Sequence, residues 1–235
     1  LEPRLYYAYI PYRSQNQIWN FDSALADLDF SRIYTENLFT GSDRIAQANQ
    51  ITTGVTSRIL SQDTGEELLQ ASVAQRYYFD EQSVTLPNTT TTNTSRKSDV
   101  LGAMSGRIAP NLWAQGFVQY NMDNNKLLRT DASIRWQPAF RQVFNVGYHE
   151  NRILKEPAKT VYASAQFPMS YVSNNLYGVA RINYNLQSKK VNDVYAGFEY
   201  AHDCWIFRLV AQRTQTGNNK ANNSILFQLQ LKGLG

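Results

Sequence analysis

Residues 127–136 read LLRTDASIRW, and the alternation inside this stretch decides the fold. Leu128, Thr130, Ala132, Ile134 and Trp136 fall on one side of an extended chain, and Arg129, Asp131, Ser133 and Arg135 on the other. Successive side chains of a strand point to opposite faces, so a period of two marks a strand with one dry face. Working outward, Ile51, Thr53, Val55, Ser57 and Ile59 oppose Gln50, Thr52, Gly54, Thr56 and Arg58. Val161, Ala163, Ala165 and Phe167 oppose Tyr162, Ser164 and Gln166. Near the C-terminus Trp205, Phe207, Leu209 and Ala211 oppose Ile206, Arg208, Val210 and Gln212, while Ile225, Phe227, Leu229 and Leu231 oppose Leu226, Gln228, Gln230 and Lys232. About twelve such segments can be drawn, near 3–10, 49–60, 67–79, 99–109, 112–122, 128–137, 141–150, 158–167, 176–186, 193–201, 204–214 and 223–232. No convincing amphipathic helix competes with them; SALADLDFSRIY at 23–34 reads equally well as loop or strand.

Most of these segments run to about ten residues, the length a tilted strand needs to cross a bilayer and longer than the five or six usual in soluble sheets. Composition agrees. Of 235 residues, 43% are hydrophobic and only 18% charged, and the deficit in charge is filled by about forty Asn and Gln together with fifteen Tyr. That mixture suits neither a disordered tail nor a helical bundle. No run of about 18 apolar residues exists, which excludes a spanning helix. A mean hydropathy of -0.46 would ordinarily argue for a soluble chain, but a β-barrel hides its hydrophobicity in alternate residues. The expected fold class is therefore all-β, an antiparallel up-and-down transmembrane β-barrel with about twelve strands here. LEPRLYYAYIPYR at the start has no basic, apolar or small-residue cleavage region of an export signal, as expected of a processed chain or of a piece of a longer one.

The joins carry a second signal, because outer-membrane barrels have short periplasmic turns and longer loops on the other side. Joins at 62–65, 110–111, 138–140 and 202–203 read as tight. Those at 80–98, 151–157, 187–192 and 215–222 read as longer, with an excursion of roughly forty residues from Tyr12 to Asn49. Two joins break the pattern: 168–175 is long on the tight side and 123–127 short on the other. With the tight joins periplasmic, both chain ends are expected on that side. Trp113, Trp136 and Trp205 then gather at the tight-turn end, and Tyr77, Phe79, Tyr120, Tyr148 and Tyr184 toward the other, as two interfacial girdles would.

Arginine recurs on the polar side of the strands, at Arg58, Arg76, Arg107, Arg135, Arg181 and Arg208. A guanidinium forks onto phosphate or carboxylate, so a lumen lined this way would suit an anionic, phosphorylated ligand. Solvated wall residues paired with acids of a plug or of neighbouring strands are the alternative. Catalytic chemistry lacks its minimum residue sets. GxSxG, HExxH, GxGxxG and the phosphate-binding P-loop are all absent, no cofactor or metal is expected, and His202-Asp203-Cys204 sits in a tight turn where three consecutive residues cannot converge on one atom. The chain is expected not to be an enzyme. Net charge is +4 with scattered signs, weak grounds for a nucleic-acid partner, and none is expected. The NTT at 88, NTS at 93 and NNS at 222 match a glycosylation acceptor by chance frequency and are assigned no role.

Several blocks resemble a known family. EPRLYYAYIPYRSQNQIWNFDSA at 2–24, FTGSDRIAQANQITTGVTSRIL at 39–60, ASVAQRYYF at 71–79 and DCWIFRLVAQRTQTGNNKANNSILFQLQLKGLG at 203–235 look like the C-terminal half of the LptD family of lipopolysaccharide-assembly proteins. The likeness runs end to end. It implies that residues 1–235 are the C-terminal portion of a larger outer-membrane barrel in bacteria, without that family's periplasmic jelly-roll domain. It further implies a translocon that inserts lipopolysaccharide into the outer leaflet through a lateral gate between the first and last strands. Implied partners are lipopolysaccharide, the lipoprotein LptE as plug, the periplasmic bridge ending in LptA, and the barrel-assembly machinery.

By the same resemblance the gate strand here is Ser224 to Lys232, with Ser224, Leu226, Gln228, Gln230 and Lys232 as its candidate residues and Leu226, Gln228 and Gln230, on the inward face, lining the exit. Members carry a pair of closely spaced cysteines near this strand that bond to the periplasmic domain. This chain keeps only Cys204, so an interdomain disulfide there is what the likeness implies, with its partner open. The competing readings are a general outer-membrane porin or channel, which a polar lumen and girdled strands also fit, and a secreted β-sandwich, which needs no detergent.

Overall fold

The computed structural model describes residues 1–86, 95–153, 157–217 and 220–232. The chain is all-β. Its twelve strands are β1 (Glu2–Ile10), β2 (Ala48–Leu60), β3 (Glu67–Tyr78), β4 (Val100–Ala109), β5 (Leu112–Asn121), β6 (Lys126–Ala139), β7 (Gln142–Asn151), β8 (Ala158–Pro168), β9 (Leu176–Asn185), β10 (Lys190–Ala201), β11 (Trp205–Gly217) and β12 (Lys220–Leu231). They run up and down in chain order in one antiparallel sheet, with β12 last. Every segment marked by alternation is a strand, and most ends agree within two residues.

The disagreements are instructive. The joins expected at 187–192 and 215–222 are shorter, because β10 starts at Lys190, β11 continues to Gly217 and β12 starts at Lys220. Polar residues such as Gln215 and Ala221's neighbours Asn222 and Asn223 look like loop, yet they continue the ladder, pairing Gln215 with Ala221 and Thr214 with Asn222. Past the membrane boundary a strand needs only backbone partners, not apolar side chains. The acceptor-like tracts at 88 and 93 fall on or beside residues outside the described ones.

Tight turns are made where the backbone can turn left-handed. Asn111 and Asn125 have φ of 61° and 51°, a conformation asparagine tolerates. Arg141 at 58° and Lys189 at 54° are not intrinsic choices for that region, so their surroundings hold them there. Pro138 lies between Trp136 and Ala139, where the β6–β7 register shifts, a bulge that accommodates its missing N–H.

The chain forms two compact units, residues 1–104 with 118–127, and 105–117 with 128–235. In the first unit, the connection 11–47 packs on the polar face of β1–β3. Ile33, Phe39, Ala46, Ala48, Ala74 and Leu101 are buried there. In the second, Val179 is the one buried apolar residue among the described residues. Its apolar side chains instead stand on the opposite face, exposed: Val146 is 60% and Phe227 79% accessible.

Face assignment follows from register. Ile134 sits opposite Val146, Val146 opposite Ala163, and Ala163 opposite Ile182, one continuous apolar face across β6–β9. Tyr148 and Tyr184 lie on that face, as do Trp136, stacked on Phe144 at 5.4 Å, and Trp205. Tyr77 and Phe79 pack edge to face at 5.3 Å. Trp113 departs from the expected girdle. It shares strand parity with Phe117, whose ring lies 5.8 Å beneath the Arg129 guanidinium on the polar face. A tryptophan near a strand end reports depth, and only register reports side.

Candidate functional site

The polar face of the first unit is built to hold its own chain. Arg76, 1% exposed on β3, donates through Nη2 to the carbonyls of Arg32 (3.0 Å), Ile33 (2.6 Å) and Thr35 (2.9 Å). Its Nε donates to Thr52 Oγ1 at 3.3 Å, and that hydroxyl donates to the Ile33 carbonyl at 3.0 Å. Gln50 Nε2 donates to the Thr35 carbonyl at 3.2 Å, and Arg4 lies 4.0 Å over the Tyr34 ring. A Cβ on Gly54 would stand 2.0 Å from Tyr34 Oη, so glycine is needed there for close approach. Buried charge is tolerated because three carbonyl dipoles surround it.

Within the covering segment, Asp43 Oδ2 accepts the amides of Phe21 at 2.6 Å and Asp22 at 2.8 Å. Asp22 Oδ1 accepts the Ser42 amide at 3.1 Å. The Ser42 backbone bond, helped by hydrogen bonds from Asp43 and Ser23 and opposed by desolvation, holds the Asp22 carboxyl below its ordinary range. Arg44, also buried, donates to the Ile18 carbonyl at 2.7 Å.

The described residues of the second unit pair their charges along the wall. Glu199 on β10 is 3% exposed and takes two arginines. Arg208 Nε on β11 reaches Oε2 at 3.1 Å, and Arg141 Nη1 reaches Oε1 at 3.1 Å. Arg141 comes from the β6–β7 turn, with its guanidinium 5.2 Å over the Tyr177 ring. Two arginines against one glutamate leave the cluster one positive charge in excess. Beside it lies a hollow of about 250 Å³ lined by Tyr195, Arg208, Val210, Gln212, Leu226 and Gln228, among others. Here the sheet's last two strands present guanidinium, amides and apolar side chains together.

The remaining expected arginines do not converge. Arg58 is 2.9 Å from Glu2 and 3.3 Å from Glu67 on neighbouring strands. Arg135 donates to Gln137 Oε1 at 3.0 Å, and Arg181 lies 5.6 Å over the Tyr162 ring. Arg107 on β4 is also engaged. A wall residue paired with acids of neighbouring strands describes Arg58; Arg76 instead holds the covering segment, and Arg208 adjoins a cavity with strand β12. On β12, Ser224 faces Gln212, Leu226 faces Val210, Gln228 faces Arg208 and Gln230 faces Ile206. The Lys232 amide donates to the Cys204 carbonyl and its Nζ to the His202 carbonyl, each at 2.8 Å. Cys204 is exposed and free in the β10–β11 turn, the turn whose neighbouring strand residue, Trp205, stacks on His202 at 5.8 Å.

Sequence reasoning passed over Glu199, Arg141 and Gly54. Nothing in the alternation singles out Glu199 from other polar-face residues, and Arg141 was hidden at a strand start. No group of three or more metal-binding side chains occurs among the described residues.

Set against known proteins, residues 1–173 match the family model LptD, described as LPS transport system D. Along its whole length the chain is 39% identical to the LPS-assembly protein LptD of Burkholderia pseudomallei. It is 40% identical to the protein of that name in Burkholderia thailandensis and 40% to that of an Azoarcus species. The chain spans about 30% of the length of these curated relatives.

Proposed function

The chain belongs to the LptD family of outer-membrane proteins, and from that premise we propose that it is a stretch of the barrel wall past which lipopolysaccharide is inserted into the outer leaflet. The family works in assembly and transport rather than in catalysis. The observation that carries the reading is the composition of β12. One face presents Ile225, Phe227, Leu229 and Leu231, all exposed, and the other Ser224, Leu226, Gln228 and Gln230. A lipid with a phosphorylated, sugar-bearing head needs a polar surface for the head and, at the same place, an apolar one for its chains. The last strand offers both, beside the hollow with Arg208.

In the assembled protein this strand forms one side of a lateral gate. An unpaired backbone group in hydrocarbon costs several kcal/mol, so such a gate must reclose after each passage. The partners in this reading are lipopolysaccharide, the plug lipoprotein LptE, the LptA bridge and the barrel-assembly machinery. In this reading Cys204, exposed in the β10–β11 turn, bonds to a periplasmic domain outside this chain. A general porin needs an open polar face, and the covered face of β1–β3 weighs against it.

The test uses photoreactive residues at Leu226 and Gln228 in the full-length protein within its native complex. Capture of lipopolysaccharide at these positions, lost when supply from the periplasmic side is blocked, is the expected result. Absence of capture there, while positions elsewhere in the same complex are labelled, overturns it.

A further inference from the structure

A second hollow, of about 670 Å³, opens on the other face of the last three strands, lined by Lys190, Val191, Val194, Arg213, Gln215, Ala221 and Asn223. Register puts Arg213 on the apolar face. It pairs with Val194 and Asn223 and follows Phe207, Leu209 and Ala211 at every second place. Arg213 is exposed, and no carboxylate pairs with it among the described residues. A cation facing hydrocarbon is costly at the bilayer midplane and cheap at the interface, so its depth matters.

Eight residues separate Arg213 from Trp205, the aromatic at the opposite end of β11. At about 3.3 Å per residue that is roughly 26 Å along the strand, or about 20 Å of depth at a tilt of about 40°. The apolar band of an outer-membrane barrel is about 25 Å tall, so with Trp205 at one edge the Arg213 backbone lies within roughly 5 Å of the other. Tyr184, on the same face and paired with Val191, stands at the same rim. The long Arg213 side chain therefore reaches lipid head groups by extending toward that rim, on the end away from the tight turns.

Of the residues lining the hollow, Lys190 and Arg213 are cations and none is Asp or Glu; Asp193, the neighbouring carboxylate on β10, pairs with Thr214 on the other face of the sheet. A neighbouring hollow of about 640 Å³ shares Val194, Arg213 and Asn223 and continues past Ala196, Ala211 and Ile225 toward the midplane. Cations at head-group height, amides beside them and small apolar side chains below complement an amphiphile with an anionic head and acyl tails. A guanidinium with free N–H donors selects phosphate among such heads.

We infer that this outer rim of β10–β12 is a lipid-facing binding site for the phosphorylated head group of a lipid resident in the outer leaflet. It lies on the face opposite the hollow at Arg208. It requires that the strands span the membrane but not that lipid leaves beside β12. Held there, a phosphorylated lipid would pack against the terminal strand from outside and occupy the rim next to it.

The experiment places a photoreactive residue at Ala221 of the full-length protein. The protein is reconstituted in phosphatidylcholine nanodiscs doped with a bisphosphorylated, multiply acylated glucosamine lipid or with its dephosphorylated form. Capture of the phosphorylated lipid should exceed that of the other roughly twentyfold. The double substitution Lys190→Gln and Arg213→Gln should bring it down to the dephosphorylated level, and Arg213→Lys alone should retain most of it. Heat-modifiable migration verifies that each variant is folded, and the two-lipid comparison on the otherwise unchanged protein decides the matter if one is not. Equal capture of both lipids, or capture indifferent to the double substitution, overturns the site. Capture at Leu226 is scored in parallel: its loss with labelling at Ala221 intact rejects the exit pathway alone, and the reverse rejects the rim site alone.

Discussion

The polar face of β1–β3 and the polar face of β7–β12 are made from the same alternation, yet one is covered by the chain and the other, among the described residues, pairs its charges along the wall. On the first, Gln50, Thr52 and Arg76 give their hydrogen bonds to backbone carbonyls of residues 32–35. On the second, Arg141, Glu199 and Arg208 satisfy one another. The difference originates in the connections. Between Ile10 and Ala48 lies enough chain to fold back over the face, whereas the joins Leu186 to Lys189 and His202 to Cys204 are a few residues each. A polar wall is thus neutral about its use. Given a long connection it becomes an interior, and without one it stays a lining that another molecule can meet.

The comparison breaks first at Arg76. Replacing it with Met strands three carbonyls and should cost about 3 kcal/mol. Limited proteolysis of detergent-folded protein should then cut within 11–47 while β7–β12 stay resistant; unchanged resistance of the segment would show that Arg76 does not hold it. Next comes Gly54→Ala, whose added methyl must displace Tyr34 from 2.0 Å, at about 2 kcal/mol. Combining it with Tyr34→Phe should restore much of the loss in a chemical-denaturation midpoint. Ala at Gly65, where nothing lies within 4 Å but φ is +70°, should cost about 1 kcal/mol for backbone reasons alone.

On the second face, Glu199→Gln should cost about 1.5 kcal/mol after allowance for the partly exposed Arg208. Adding Arg208→Gln to that variant should then change the unfolding midpoint little, since the two share one interaction. A full additional loss would mean that Arg208 has other work on that face. The smallest effect concerns pH. Asp22 is held below the usual carboxylate value, chiefly by the Ser42 amide. Its contribution is complete above the unfolded-state pKa and disappears as pH falls through the lower folded one. Amide exchange in residues 20–44 should therefore speed up at acid pH below the ordinary carboxylate range, with no matching change in β7–β12, and Asp22→Asn should remove the dependence.

Much of this was legible in the order of residues. Alternation located all twelve strands and put Arg58, Arg76, Arg181 and Arg208 on the polar face, because side-chain side is a strict function of parity. Tyr148, Tyr184, Trp136 and Trp205 share the apolar face and Trp113 does not, because distance to a strand end, on which the girdles rest, carries no information about side. Strand ends rich in Lys, Asn and Gln read as loops, because beyond the apolar band the ladder is held by backbone groups that leave no mark on composition.

What the sequence by itself determined is the two-faced strand, repeated, with its face assignment and its membrane-like length. Only the tertiary structure decided what each polar residue does. Arg76 and Arg208 are alike in sequence, each an arginine at a polar position in a strand. One is enclosed by carbonyls from a segment more than forty residues earlier, and the other shares a glutamate with a turn arginine beside a cavity. A hydrogen-bond partner brought from a distant part of the chain is set by how the connections fold back, and no local pattern of side chains encodes that path.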